Sequence, residues 1–260
     1  MPDVALRIRA AMQQENTTVA DVARVIAADP STAAYLVGVA NSPIYRGVVP
    51  VTNVDKCVMR LGLETTRNLV TAYALRAMFS TRSGALARMM SDIWRQSART
   101  AAFAAILAKR DGRFSPDQAM LGGLLQDIGM LPLIKIMSMQ ERAMRATERM
   151  GPSLREFGPR VGVVLLERWN FDPAMVDVVR ERQRFERDTG GPVDLADLVI
   201  VARRLAAVGT PEDAQLPSFD SMAAFSKLAL GKISIDETLE MLLSADEEVR
   251  EIMQLLGVSG

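Results

Sequence analysis

The sequence predicts an all-α protein. Along nearly all of its 260 residues, apolar side chains recur every three to four positions, which is the spacing of a helix face, and alternating strand patterns are almost absent. Capping residues precede several of these runs, and glycine or proline ends most of them. The apolar runs 161–166 and 195–201 have the composition of strands, but good helix formers at helical spacing surround both. We therefore assign both runs to helices.

The first clear helix begins after Thr18, which opens a Thr-x-x-Asp capping box. Asp29-Pro30 ends that helix and caps the next one, since proline fits the first helical position. The next helix ends at Asn41-Ser42-Pro43, where we expect Asn41 to adopt the left-handed conformation as a C-cap. Further helices are predicted near 51–61, 64–80, 84–110, 129–149, 172–185 and 192–207. Capping boxes are also predicted at Ser115, Ser153 and Ser234, the last of which opens a terminal helix.

A turn at Thr81-Arg82-Ser83-Gly84 is the best candidate for a domain boundary. It separates an N-terminal helical subdomain, residues 1–82, from a larger helical subdomain, residues 83–260. No spacer rich in proline or serine intervenes, so we expect the first subdomain to pack on the second rather than to hang from a flexible joint.

Histidine is absent from the sequence. This absence excludes a Ser-His-Asp or Cys-His nucleophile pair, a histidine general base and any metal site that needs imidazole. The single cysteine, Cys57, excludes an internal disulfide and indicates a reduced, cytoplasmic protein. Cys57 shares a helical apolar spacing with Val54, Val58 and Leu61, so we expect it in the core.

The net charge is zero, yet the two halves differ in sign. Residues 1–115 carry 15 basic and 8 acidic side chains, whereas the remaining residues carry 16 and 23. No block of like charge occurs, and we interpret the densest cluster, the arginines at 180, 182, 184 and 187, as a solvated helix end. We therefore expect no nucleic-acid partner. The longest uncharged stretch, residues 31–45, is too short and too polar for a bilayer span, so we expect no membrane partner either.

One motif indicates a family. Within the segment 123–129, Gly-Leu-Leu-Gln-Asp-Ile-Gly, an aspartate leaves an apolar helix and is followed by Ile-Gly. This segment resembles the core of the HD motif of metal-dependent phosphohydrolases, in which a histidine precedes the aspartate. Together with Asp29-Pro30, the Ala-Asn-Ser-Pro run at 40–43 and the run 161–169, it is similar to the HDOD family, the HD-related output domain of bacterial signalling proteins. The resemblance covers nearly the whole chain and implies a degenerate HD-like helical bundle.

The resemblance also implies where a metal site has been lost. A metal-binding relative would hold histidine at Gln96 and Gln126 and aspartate at Arg203, so only Asp127 remains. Further histidines of many relatives would fall at Gly158 and near 181–182. One carboxylate does not hold a divalent metal, and an arginine places a positive charge where the cation belongs. We therefore expect no metal, no cofactor and no enzymatic activity, and we expect Arg203 to pair with Asp127.

Two interpretations of this vestigial pocket, Gln96, Gln126, Asp127 and Arg203, stay open. The side chains could simply satisfy one another inside the fold. Alternatively, the pocket could have kept binding after losing catalysis, so that Arg203 and the two amides recognise a phosphate or carboxylate ligand such as a nucleotide second messenger. A third hypothesis, an HD-type phosphohydrolase, requires a metal at Asp127.

The resemblance implies a non-catalytic signalling regulator that acts through protein interaction, in cyclic di-GMP or two-component pathways. Its partner would be a diguanylate cyclase, a phosphodiesterase or a histidine kinase. Tyr45 and Arg46, in the loop after Asn41, are candidate contact residues because exposed tyrosine and arginine favour interfaces, although a conformational role for this loop is sufficient. No sensor, cyclase or kinase domain accompanies the sequence. We therefore expect the chain to act in trans, to form a homodimer or to be part of a longer protein.

Overall fold

The computed structural model describes residues 3–12, 16–79, 84–138, 147–229 and 245–258. The prediction of an all-α protein is confirmed, since these residues form helices and no strand. The helices are α1 Asp3–Met12, α2 Val19–Ala27, α3 Pro30–Ala40, α4 Val54–Leu61, α5 Leu63–Met78, α6 Gly84–Asp111, α7 Pro116–Leu125, α8 Met130–Ser138, α9 Thr147–Arg168, α10 Pro173–Glu181, α11 Leu195–Ala206, α12 Ala223–Lys227 and α13 Asp246–Leu255. Two short 3-10 turns, Asp213–Gln215 and Phe219–Ser221, lie between α11 and α12.

Three predicted N-caps are confirmed. Thr18 forms the expected capping box with Asp21, and the Asp29 carboxylate accepts a hydrogen bond of 2.8 Å from the backbone N–H of Thr32. The Ser115 hydroxyl accepts a longer one, 3.4 Å, from the N–H of residue 118. Each cap satisfies one backbone donor that the first helical turn leaves without an intrahelical partner.

The prediction of a helix start at Ser153 is wrong, because Ser153 lies inside α9. The predicted helix 129–149 coincides with α8 over Met130–Ser138 and with the start of α9 from Thr147, and its middle, 139–146, lies outside the described residues. Gly151 and Pro152, directly before Ser153, are poor helix formers, so the packing of α9 on α8 and α10, rather than local propensity, accounts for a helix that runs through Ser153. The predicted cap at Ser234 lies outside the described residues.

Asn41 ends α3 without the predicted left-handed backbone, since its φ is −104°. Its side chain does the capping instead. The Nδ2 group donates to the carbonyl of Val37 at 3.0 Å and to the carbonyl of Val51 at 2.7 Å, while Oδ1 accepts from the Val51 N–H at 2.9 Å. One amide therefore closes the helix and also fixes the far end of the loop 42–50.

The contacts divide the chain into two compact units. One holds the described residues up to Met78 together with those from Gln254 onward, and the other runs from Phe79 to Met253. The core of the first unit is built from α1–α5. Cys57 is fully buried in this core, as predicted, and burial raises the pKa of its thiol.

The second unit is centred on α11, in which every residue from Leu195 to Ala206 is buried. Helix α11 packs on α6, α7 and α10, and α9 packs on α8 and α10. Gly123 allows α7 to approach α6 closely, because a Cβ there would lie 2.5 Å from the Cα of Ala101. These contacts bring the end of α7, the end of α10 and the last turn of α11 into one region.

Among the described residues, Pro116–Ile136 is the stretch long and apolar enough, by length and composition, to cross a membrane. In the structure it is mostly buried, with 72% of its most apolar window covered by protein. A single buried stretch of this kind is weak evidence for a membrane span, because the core helices of globular proteins meet the same criteria.

Candidate functional site

Asp127 lies in the turn between α7 and α8, and its side chain is buried. The turn is held against α9 by a close backbone approach at Gly129. A Cβ on Gly129 would overlap the carbonyl oxygen of Gly158 and the amide of Gly162, so only glycine fits there. This approach fixes the turn that carries Asp127 against α9.

Two guanidinium groups bind the Asp127 carboxylate. Arg203, on α11, places its NH1 atom 3.4 Å from Asp127 Oδ2 and 3.3 Å from Gln126 Oε1, so the predicted pairing of Arg203 with Asp127 is present. Arg182, the C-cap of α10, donates a hydrogen bond from NH1 to Asp127 Oδ1. The aspartate therefore has a cation on each of its two oxygens.

Arg182 is one of two site residues that the sequence did not single out. The arginine cluster at 180–187 was predicted to be solvated, but the Arg182 side chain is completely buried and that of Arg187 is 10% exposed. Arg187 pairs with Asp194 at 2.6 Å and with Asp197, whereas Arg180 and Arg184 are exposed, as predicted. One signal in the sequence pointed to this position, since the HD resemblance implies a further histidine near 181–182.

Burial lowers the pKa of the Arg182 guanidinium, and the nearby Asp127 charge opposes this shift. Gly158, at the other predicted histidine position, lies beside the same arginine. A Cβ on Gly158 would be 3.6 Å from Arg182 NH2, in ordinary contact. The two positions at which the HD resemblance implies further histidines therefore meet here as a glycine and an arginine.

Gln96 joins the site at its edge, through a residue that the sequence did not indicate. Its Nε2 group donates to Glu212 Oε2 at 2.9 Å, and Glu212 Oε1 lies 3.8 Å from Arg203 NH2. The Glu212 side chain is 38% exposed, whereas Arg203 is largely buried. Glu212 follows α11 in an irregular segment, where no local pattern marks it as a partner of Arg203 or Gln96.

The residues of this site do not fit a divalent metal ion. Such an ion takes several carboxylate, carbonyl or imidazole ligands, and here both oxygens of Asp127 already face guanidinium groups whose charge repels a cation. Within the described ranges, no group of three or more cysteine, aspartate or glutamate side chains is placed to hold a metal.

The site is only partly satisfied by its own members. Four buried N–H-bearing atoms have no hydrogen-bond partner among the described residues: Gln126 Nε2, Arg182 Nε, Arg182 NH2 and Arg203 Nε. A buried donor without a partner costs about 1–3 kcal/mol. Mutual satisfaction, one of the two interpretations of the pocket, therefore accounts for only part of its hydrogen-bonding capacity.

The other predicted residues, Tyr45 and Arg46, lie in the first unit, in the loop 42–50. Arg46 is exposed and Tyr45 is half-buried. Arg60, on α4, holds the two ends of the loop. It donates from NH1 to the Ala40 carbonyl at 3.0 Å and from NH2 to the carbonyl of Val49. Four apolar side chains are exposed on or beside this loop: Ile44, Val48, Val49 and Met59.

Comparison with solved structures shows the fold. A candidate metal-dependent phosphohydrolase from Shewanella amazonensis is similar over 98% of this chain and 90% of its own, with a TM-score of 0.78 and 22% identity. An HDOD domain protein of unknown function from Geobacter sulfurreducens is similar over 98% and 91%, with a TM-score of 0.68 and 22% identity. A candidate signal transduction protein from Marinobacter aquaeolei is similar over 99% of this chain but 59% of its own, with a TM-score of 0.63 and 24% identity.

No curated protein sequence matches the chain significantly. A family model of the HDOD domain, in contrast, matches residues 1–185. This match supports a regulatory role in general terms. Because it spans well over half of the sequence, the chain belongs to the HDOD domain family.

Proposed function

We propose that this protein is a non-catalytic, cytoplasmic regulator of bacterial signalling that acts by binding another signalling protein. The observation that carries the proposal is the pairing of Asp127 with both Arg182 and Arg203. In the HD motif that this chain resembles, the aspartate binds a metal, and a carboxylate held by two fixed cations is a poor metal ligand. Without a metal, the function we assign to this helical domain is binding of another protein through its surface.

The loop 42–50 is the surface we assign to partner binding. Together with the neighbouring helix α4, the loop exposes apolar side chains at Val48, Val49 and Met59 and positive charges at Arg46 and Lys56. One exposed carboxylate, Asp55, lies beside Lys56, so these three charges sum to a net positive charge. Asn41 and Arg60 hold the loop in place, so little conformational entropy is lost when a partner binds. This chemistry complements an apolar surface that carries acidic residues.

The partner class follows from the family resemblance. A diguanylate cyclase, a cyclic-nucleotide phosphodiesterase or a histidine kinase is the kind of protein we expect, in a cyclic di-GMP or two-component pathway. A second copy of this chain is the competing occupant of the same loop.

The test is affinity capture with a matched surface variant. The chain and its Val48→Asp variant are immobilised in parallel, and proteins bound from the native cell are quantified by mass spectrometry. We expect a signalling enzyme on the wild-type chain that is depleted on the variant and that binds again when both proteins are purified. Equal recovery on both chains, or no signalling enzyme in repeated captures at low salt, would overturn the proposal.

The absence of catalysis has a separate test. Purified protein is analysed for Mn, Fe and Zn and assayed with phosphodiester substrates. Stoichiometric metal that is lost in Asp127→Asn, together with turnover, would replace this proposal with the phosphohydrolase hypothesis.

A second candidate function is ligand sensing in the vestigial pocket. The four buried donor atoms without partners favour it, because an acceptor-rich ligand would satisfy them. The two functions are compatible, since the pocket and the loop 42–50 belong to different units.

A further inference from the structure

We propose that the vestigial pocket is a binding site for a small oxyanion of the phosphate class, and that the carboxylate of Glu212 occupies part of this site when the oxyanion is absent. This inference deepens the second candidate function and rests on it. It does not depend on the protein-interaction proposal.

The first observation is the excess of donors. Gln126 uses its carboxamide oxygen to accept from Arg203, which leaves its two amide N–H groups without a partner among the described residues. Arg182 spends only NH1 on Asp127, and Arg203 Nε is unpaired as well. All three side chains are at least nine-tenths buried. Guanidinium and amide N–H groups in a buried setting form strong hydrogen bonds to phosphate oxygens.

The second observation is the balance of charge. The closed site holds two guanidiniums, Arg182 and Arg203, and two carboxylates, Asp127 and Glu212. Asp127 is buried and fixed by the backbone, but Glu212 is 38% exposed and reaches Arg203 at 3.8 Å, beyond hydrogen-bond distance. Outward movement of Glu212 would leave a net positive, largely buried site, which favours entry of an anion.

The third observation is the set of groups that Glu212 would release to an incoming oxyanion. Glu212 binds through Gln96 Nε2 and faces Arg203 NH2, so these two groups become available when it leaves. A carboxylate presents two oxygens, whereas a phosphate or sulfate presents up to four. The additional oxygens would allow such an ion to reach the unpaired donors that Glu212 does not satisfy. Because the pocket is buried, it favours a free ion or a terminal phosphate group over the bridging diester of a cyclic dinucleotide.

The experiment is calorimetric titration of the purified chain with inorganic phosphate, sulfate, adenosine monophosphate and a cyclic dinucleotide. Glu212→Gln removes the competing negative charge but keeps the size and planar shape of the side chain. Since a partly exposed ion pair contributes little, we expect phosphate to bind this variant about two- to fivefold more tightly than the wild type. We expect Arg203→Gln to lose binding. Arg184→Gln, which removes an exposed arginine, is the charge-matched control and should bind like the wild type.

Each outcome is decisive. Weaker or unchanged phosphate binding in Glu212→Gln, or equal losses in Arg184→Gln and Arg203→Gln, overturns the site. No binding of phosphate or sulfate to the wild type and to Glu212→Gln overturns it as well. If Arg203→Gln fails to fold by circular dichroism, Glu212→Gln alone decides. Preference for the cyclic dinucleotide over phosphate contradicts the small-oxyanion assignment but leaves the protein-interaction proposal intact, because these titrations contain no partner protein.

Discussion

Arg182 and Asp127 lie 55 residues apart in the sequence and form an ion pair in which neither side chain is more than 1% exposed. Burying two charges is unfavourable unless each finds its partner, and removing one partner leaves the other charge buried without compensation. The pair therefore links the end of α10 to the turn after α7 and makes the fold depend on both.

Arg182→Met should destabilise the protein by about 3–5 kcal/mol, towards the lower value because Arg203 still faces Asp127. Urea unfolding measures the change. The matched double variant, Arg182→Met with Asp127→Asn, removes the second charge and should recover part of the loss. If the losses of stability in Arg182→Met and in Asp127→Asn simply add in the double variant, the two side chains do not stabilise each other and the prediction is wrong.

Asn41→Ala should lower stability by about 1–3 kcal/mol, since it leaves the buried N–H of Val51 and two carbonyls without the amide that binds them. Hydrogen exchange should accelerate at Val51. The control is Asn53→Ala, which removes the N-cap of α4 and should cost about 1 kcal/mol without affecting exchange at Val51. Unchanged exchange at Val51 in Asn41→Ala would contradict the anchoring role.

Gly129→Ala should destabilise the second unit by about 1–3 kcal/mol or more, the cost typical of overpacking. The added methyl group meets the backbone of α9 rather than a movable side chain. Gly38→Ala, on the exposed face of α3, meets nothing within 4 Å and should stabilise by about 0.5–1 kcal/mol. Thermal unfolding of both variants measures the contrast. Equal and small effects would show that α9 can move away from the turn.

Asp111 provides a pH dependence. Its carboxylate ends α6 and accepts two hydrogen bonds of 2.6 Å from Arg113 and one of 2.9 Å from the N–H of Ala229. The side-chain hydrogen bond from Arg113 is the largest cause that lowers the pKa of Asp111. A lowered pKa in the folded state stabilises the protein above the unfolded value of about 3.9, and this contribution is lost as the pH falls through the folded value.

Asp111→Asn should therefore be less stable than the wild type near neutral pH, and the difference should shrink as the pH falls below about 4. Urea midpoints across this range measure it. Asp92→Asn, which removes an exposed carboxylate, should follow the wild-type curve. A difference between Asp111→Asn and the wild type that is independent of pH would mean that the charge of Asp111 does not contribute.

The sequence was sufficient for features that depend on neighbouring residues. The all-α class, the caps at Thr18 and Asp29 and the buried position of Cys57 all follow from spacing and local hydrogen bonding. The cap at Ser153 was wrong because packing of α9 on α8 and α10 carries the helix through Gly151 and Pro152, which local propensity alone would not predict. Arg182 and Glu212 were missed because their partners lie far away in the sequence, and composition alone does not distinguish a buried arginine from a solvated one.

The final prediction separates the absence of histidine from the presence of arginine as the reason for metal loss. Gln96→His, Gln126→His and Arg203→Asp together restore the ligand types that the HD resemblance implies. We expect this triple variant not to bind Mn²⁺ or Zn²⁺, because Arg182 still occupies Asp127 Oδ1. Adding Arg182→His removes that cation and supplies an imidazole, so the quadruple variant should bind metal in equilibrium dialysis.

Circular dichroism of both variants verifies that they fold. Metal binding by the triple variant would mean that Arg182 moves away from Asp127 when a cation binds. The missing metal ligands alone would then explain why the wild-type site does not bind metal. A folded quadruple variant without metal would mean that the backbone around Asp127 no longer presents these positions to one ion. The predicted difference between the two variants assigns the loss of metal binding to the Arg182 guanidinium, which the buried face of α10 holds beside Asp127.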